Sequence, residues 1–232
     1  MKTIISDKSK LYETAALRIK ALLDEKPHAV LAFSAGRSMT GLFSLLCAMS
    51  ENKEISFEKA RVFAVTKYVG APEERSCRAQ LERELLNKVG VADANRFFPD
   101  ETAPENYDAL ISELGGIDLA VIGLGHNGHF GYNEPGTQYN TLTRIQRLAP
   151  ATRRQLAESF TGDENVPECA VTMGIKTITG ARDIIVLATG RDKAGAVFQM
   201  LYARDDSVIP AAFLQIPLNV TVLADEDAAA ML

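Results

Sequence analysis

The chain has 232 residues, of which 47% are hydrophobic and 24% charged, a balance that buries a full core without a metal or disulfide. Lys and Arg total 25 against 30 Asp and Glu, a net charge of -5 with the signs interspersed, which argues against nucleic acid as the main partner. No run approaches the roughly 18 apolar residues of a membrane helix, Met1 to Lys10 is polar, and three widely spaced cysteines, Cys47, Cys77 and Cys169, suit reduced thiols, so the expectation is a cytoplasmic protein without disulfides.

Apolar residues at Leu11, Ala15, Ile19, Leu22 and Leu23, with Arg18 and Lys20 opposite, predict a first helix ending near Lys26-Pro27. His28 to Phe33 has the length and composition of a buried parallel strand. Ser34-Ala35-Gly36-Arg37-Ser38 follows, and Ser38 is placed to cap a helix whose stripe is Met39, Leu42, Phe43, Leu46 and Met49, with Cys47 as a core residue. Arg61 to Val65 reads as a strand, Tyr68 to Arg75 as a charged loop, and Ser76 as the cap of a helix reaching about Lys88. A helix over Glu105 to Leu114 precedes a buried strand over Ile117 to Ile122. Arg182 to Ala188 is a strand, Asp192 to Ala203 its helix, and Asn219 to Leu223 the last strand, before a short acidic end at Asp225 to Asp227 that reads as solvated. This alternation predicts an α/β fold: a mostly parallel, Rossmann-like sheet with helices on both faces, in a single domain over residues 1–232.

Ligands of such sheets bind beyond the carboxyl ends of the strands, which singles out the loops Ser34 to Ser38, Thr66 to Arg75, Gly123 to Gly136 and Thr189 to Lys193. Gly123-Leu-Gly-His-Asn-Gly128 satisfies the dinucleotide pattern, but Gly131, Pro135 and Gly136 deny it the helix that pattern must open, which speaks against a nucleotide cofactor. The same loop concentrates His126, Asn127, His129, Asn133 and Glu134 among glycines. A histidine with a reference pKa near ~6.5 moves protons at neutral pH when a carboxylate orients it, and His129 with Glu134 suits that pairing. His126 and His129 lack a second ligand cluster, so no metal is expected. Ser34, Arg37, Ser38 and the following helix start suit an anion such as phosphate, and Lys193 is placed to join them.

These residues resemble the glucosamine-6-phosphate and galactosamine-6-phosphate isomerase/deaminases, relatives of the 6-phosphogluconolactonases, over nearly the whole chain. The most specific stretch is Gly123 to Gly136, whose Asn-Gly-His and Asn-Glu-Pro elements look like the deaminase active-site loop. Supporting stretches are Phe63 to Gly70, Thr143-Arg144-Ile145, Thr172 to Ile175 and Gly190 to Lys193, while Asn127 and Ser207 to Leu214 look closer to the galactosamine-6-phosphate branch. The resemblance implies a reaction without cofactor that opens the ring of a small sugar phosphate, moves a proton between C2 and C1, and releases ammonia to leave a ketose phosphate. It implies His129 as the ring-opening histidine, Glu134 as its carboxylate, Asn127 where glucosamine enzymes carry Asp, and Ala35, Gly36, Arg37, Ser38 and Lys193 at the phosphate. It also implies relatives that often form homo-oligomers.

The chain departs from that pattern where the family carries the Asp-Glu pair of its proton-abstracting base: Val65-Thr66-Lys67-Tyr68 puts Thr66 at the base position. Arg37 replaces a usual glycine, and Glu158 stands where glucosamine enzymes place a phosphate-contacting Arg. Threonine is no base at neutral pH, and general-base assistance is worth ~10²–10⁴ in rate. Two further readings therefore stand beside the deaminase: a non-catalytic sugar-phosphate binder, and a lactone hydrolase, which needs no base at C2.

Overall fold

The structure, a computed structural model, describes residues 1–157, 160, 166–203 and 209–232. Its frame is a seven-stranded sheet, every pairing parallel, in the order β1-β10-β9-β6-β2-β3-β5. These strands are β1 (Lys2–Ile5), β2 (Val30–Phe33), β3 (Arg61–Ala64), β5 (Arg96–Phe97), β6 (Leu119–Gly123), β9 (Asp183–Ala188) and β10 (Val220–Ala224). Side chains alternate across a strand, and the central strands are apolar on both sides because both sides are covered. One core takes Val30, Ala120, Ile122, Ile184 and Val186. It packs them under α4 (Glu105–Glu113), α6 (Ile175–Thr179) and α7 (Ala194–Tyr202). The other takes Leu31, Phe33, Val121, Ile185 and Leu187. These pack under α1 (Lys8–Glu25), α2 (Arg37–Glu51) and α3 (Cys77–Leu81), which runs into a π-helical turn at Glu82–Leu86. The expected α/β architecture, with helices on both faces, is the one observed.

From β2 the chain moves outward to β3 and β5, then returns on the other side of β2 as β6 and continues to β9 and β10. That reversal leaves a crevice beyond the carboxyl ends of β2 and β6, where the Ser34 and Gly123 loops begin.

Several local expectations are corrected. The polar amino terminus is edge strand β1, and α1 starts at Lys8 because Asp7 accepts the Lys10 N–H and caps it. Ser38 does not cap α2: Gly36, at φ 126° and ψ 170°, does, so Ser38 lies inside the first turn. Only glycine adopts that conformation without strain, which lets the helix begin two residues earlier, at Arg37. Ser76 does cap α3, accepting from Ala79 N–H. The stretch from Thr66 is not wholly loop, since β4 (Thr66–Tyr68) pairs antiparallel with β8 (Cys169–Thr172), and β8 with β7 (Arg144–Arg147). This three-stranded sheet escapes a periodicity reading because β4 and β7 lack an apolar run, and the one apolar residue of β7, Ile145, is exposed. The acidic end is only partly solvated: Glu226 and Asp227 are exposed, but Asp225 is buried and accepts the N–H groups of Gly190 and Ala228. Glu158 and Ser207 lie outside the described residues.

Candidate active site

The crevice measures about 1320 Å³ and is lined from all four loops that the strand ends single out. Ser34, Ala35, Gly36, Arg37 and Ser38 form one wall, Thr66 and Tyr68 another, and His126 and His129 a third, with Thr189 and Lys193 closing it.

At the anion end, α2 points its positive terminus into the crevice from Arg37. Gln80 of α3 grips the turn, accepting the Gly36 N–H at 3.1 Å. Across from it, Thr189 donates to Ser38 Oγ at 3.4 Å, which ties the end of β9 to the first turn of α2. Lys193 is buried, with its ammonium 3.1 Å from Asp192. Its turn is positioned by Asp225, whose two carboxylate oxygens each accept the Gly190 N–H at 3.0 Å.

The imidazole end is built by the loop after β6. Gly125 N–H donates to His129 C=O at 2.7 Å, closing the turn. A Cβ at Gly125 would sit 2.4 Å from the His129 ring, so the residue type there is set by the imidazole. His129 is 9% exposed, its Nδ1 3.6 Å from Glu134 Oε2 and 3.5 Å from Thr152 Oγ1. Asn127 donates to Glu134 Oε2 at 2.8 Å and accepts the His129 N–H, while Ala149 N–H donates to Glu134 Oε1. Burial pushes the Glu134 carboxyl up, but His129, Thr152 and Asn127 together outweigh it and hold the group at about 2. An ionised carboxylate therefore stands beside one ring nitrogen and orients the imidazole, the arrangement of a histidine that shuttles protons. Asn133 is fully buried, donating to Phe130 and Met173 carbonyls and accepting from Arg144, and it anchors the loop to β8 and β7.

Between the two ends the wall carries hydroxyls and a thiol, beside Glu74 and Arg75. Thr66 is buried and donates to Cys77 Sγ at 3.4 Å, and the hydroxyls of Tyr68 and Tyr132 are 2.6 Å apart. Burial pushes the Cys77 thiol up and both phenols well above their ordinary value, so all three keep their protons at neutral pH. Strand alternation turns Lys67 away from this wall, toward Glu101 at 3.7 Å. His126 also lines the crevice, its Nδ1 2.8 Å from Gln155 Oε1.

The site thus gathers Ser34, Ala35, Gly36, Arg37, Ser38, Thr66, His129 and Lys193 on its walls, with Asn127 and Glu134 behind His129. Sequence reasoning missed Thr152, Gln80, Tyr132 and Asp225. Thr152 comes from the short helix α5 (Pro150–Ala157), which nothing in the sequence links to His129. The others act through contacts distant in the chain.

Fold and site together define an open α/β protein in which one crevice holds both an anion-receptive helix start and a carboxylate-oriented histidine. Residues 7–222 match the family model for glucosamine-6-phosphate isomerases/6-phosphogluconolactonase. The glucosamine-6-phosphate deaminase of Halalkalibacterium halodurans is 33% identical over 232 residues, covering 95% of this chain and 94% of that one. A solved monomeric glucosamine-6-phosphate deaminase superposes with a TM-score of 0.96 at 30% identity, covering 100% of both chains. The 6-phosphogluconolactonase of Trypanosoma brucei shares the fold, with a TM-score of 0.77 at 20% identity over 100% of this chain and 99% of that one. The chain belongs to the glucosamine-6-phosphate isomerase/6-phosphogluconolactonase family.

Proposed function

We propose that this chain is an isomerase/deaminase of a 6-phosphorylated amino sugar, galactosamine 6-phosphate or glucosamine 6-phosphate, converting it with water to a ketose phosphate and ammonia. The observation that carries the reading is His129, braced by Glu134 and Thr152, in the same crevice as the α2 start and Lys193. The phosphate binds at Gly36 to Ser38 and Lys193, which fixes the sugar by its far end. His129 then passes a proton between the ring oxygen and the C1 hydroxyl as the ring opens, with Glu134 stabilising the imidazolium in between. Proton transfer from C2 to C1 proceeds without a carboxylate at Thr66, which makes it the slow step.

The test is ammonia and ketose phosphate release from both amino sugar phosphates by purified protein at high concentration. Slow turnover with at least one, abolished by His129→Ala, is expected, and no turnover with either rejects the isomerase/deaminase reading. Thr66→Asp with Lys67→Glu raises the rate by ~10²-fold or more if the missing base limits it.

A second reading, a sugar-phosphate binder without turnover, has its own observation: Thr66 is committed to Cys77 and Lys67 to Glu101, so neither supplies a base. Thermal stabilisation by the sugar phosphates, with no product, supports this reading.

A further inference from the structure

The last strand ends beside the anion end of the crevice. β10 pairs with β9 in register up to Ala224 and Ala188, and the next residue, Asp225, reaches over the end of its neighbour. Its N–H donates to Ala188 C=O at 3.2 Å and its carboxylate accepts the Gly190 N–H, so one residue brackets Thr189 from both sides. Oδ1 also accepts the Ala228 N–H at 2.8 Å, and Oδ2 lies 3.6 Å from the Lys8 ammonium. Asp225 is 4% exposed, so protein groups rather than water are its partners.

A buried carboxylate near an anion pocket opposes the anion by its charge unless that charge is neutralised. Lys8, which lines the same crevice, neutralises it, and the N–H groups of Gly190 and Ala228 take up its lone pairs. What the carboxylate holds is the turn that carries Lys193. Gly190 leaves β9 at φ 94°, and its C=O accepts the Lys193 N–H at 3.0 Å to form the turn Arg191–Lys193. Asp225 thus grips the N–H of the residue whose C=O fixes Lys193. Lys193 is buried and shares the crevice with Arg37 and Ser38 of the α2 start, so a shift of this turn changes where the ammonium stands relative to that helix.

We infer that Asp225 is a positioning residue of the anion pocket, which through Gly190 sets the place of Lys193 and with it the affinity for a phosphate group. The inference rests on the sugar-phosphate reading above and makes the carboxyl end of the last strand part of the binding site. The operative feature is the acceptor Oδ1, because that atom takes both the Gly190 and the Ala228 N–H. Asparagine supplies the same oxygen without the charge, and alanine supplies neither.

The test is titration calorimetry with inorganic phosphate, glucosamine 6-phosphate and galactosamine 6-phosphate on the parent protein, Asp225→Ala, Asp225→Asn and Asp118→Ala, each below its melting transition. Expected for Asp225→Ala is about three- to tenfold weaker binding of inorganic phosphate and of the better sugar phosphate, with Asp225→Asn within about twofold of the parent. Asp118→Ala, destabilised at the opposite ends of the strands, keeps the parent affinities. Should Asp225→Ala not fold, Asp225→Glu, which keeps the charge and displaces the oxygens by one methylene, is read against the same expectation. Parent affinity in that variant overturns the inference and leaves the functional reading standing. Asp225→Asn as weak as Asp225→Ala overturns it, because the charge and not the acceptor would then matter. An equal loss in Asp118→Ala overturns it by assigning the effect to general stability, and weaker sugar phosphate binding with inorganic phosphate unchanged overturns it by moving the effect away from the anion pocket. A parent protein that binds none of the three ligands rejects the functional reading and this inference together.

Discussion

At the scale of single residues the site turns on Glu134. Its carboxyl lies below its ordinary value of 4.5, at about 2, and a depressed folded-state value contributes stability that is present above the unfolded value. That contribution is lost as pH falls from 4.5 toward about 2. A shift of this size corresponds to about 3 kcal/mol. Melting temperature followed from pH 7 to pH 2.5 should therefore drop steeply at the acid end, and Glu134→Gln should flatten that drop while lowering stability at pH 7. An unchanged profile in the variant would show that the pairing with His129, Asn127 and Thr152 is not what holds the carboxylate. The His129 and Glu134 pairing was legible beforehand because both sit in one glycine-rich loop after a strand. Thr152 and Tyr132 were not, since nothing local marks a threonine or a tyrosine as a neighbour of that imidazole.

Elements place those residues, and glycine at position 36 does so at the anion end. Its φ of 126° lets α2 begin at Arg37, and an added Cβ there meets nothing within 4 Å, so a substitution acts on backbone conformation alone. Gly36→Ala should cost about 1–3 kcal/mol and weaken inorganic phosphate binding together with it, read by chemical denaturation and calorimetry. Lost stability with unchanged phosphate affinity would remove this turn from the anion pocket. The helices α1 and α2 were readable from apolar periodicity, and β2, β6 and β9 from short apolar runs. β4, β7 and β8 were not, because β4 and β7 carry no apolar run and the three strands form by pairing with each other. Their absence from the sequence reading also hid the orientation of Lys67, which follows only from the alternation of β4.

On the scale of the molecule, a polar anchor opposite the crevice joins four elements. Asp118 is buried at the start of β6; it accepts from Lys26 at 2.8 Å and from Val30 N–H at 2.8 Å, and lies 3.4 Å from Arg182. It ties the end of α1 to β2, β6 and β9 at the amino ends of the strands, away from every residue of the site. Asp118→Ala should lower stability by about 2 kcal/mol, a fall of roughly 4–8 °C in melting temperature, with sugar-phosphate binding unchanged. A loss of binding at temperatures where the variant is folded would show that the sheet transmits strain from one end to the other. By itself the sequence determined the alternating α/β order, the apolar strands that both helical layers cover, and the loop carrying His129 and Glu134, because each is written in contiguous residues. Only the tertiary structure decided that Lys193, Ser38, Thr66 and His129 share one crevice and that Asp225 sets the Lys193 turn. Those relations depend on which strands become neighbours in the sheet, and strand order follows from packing across the whole chain.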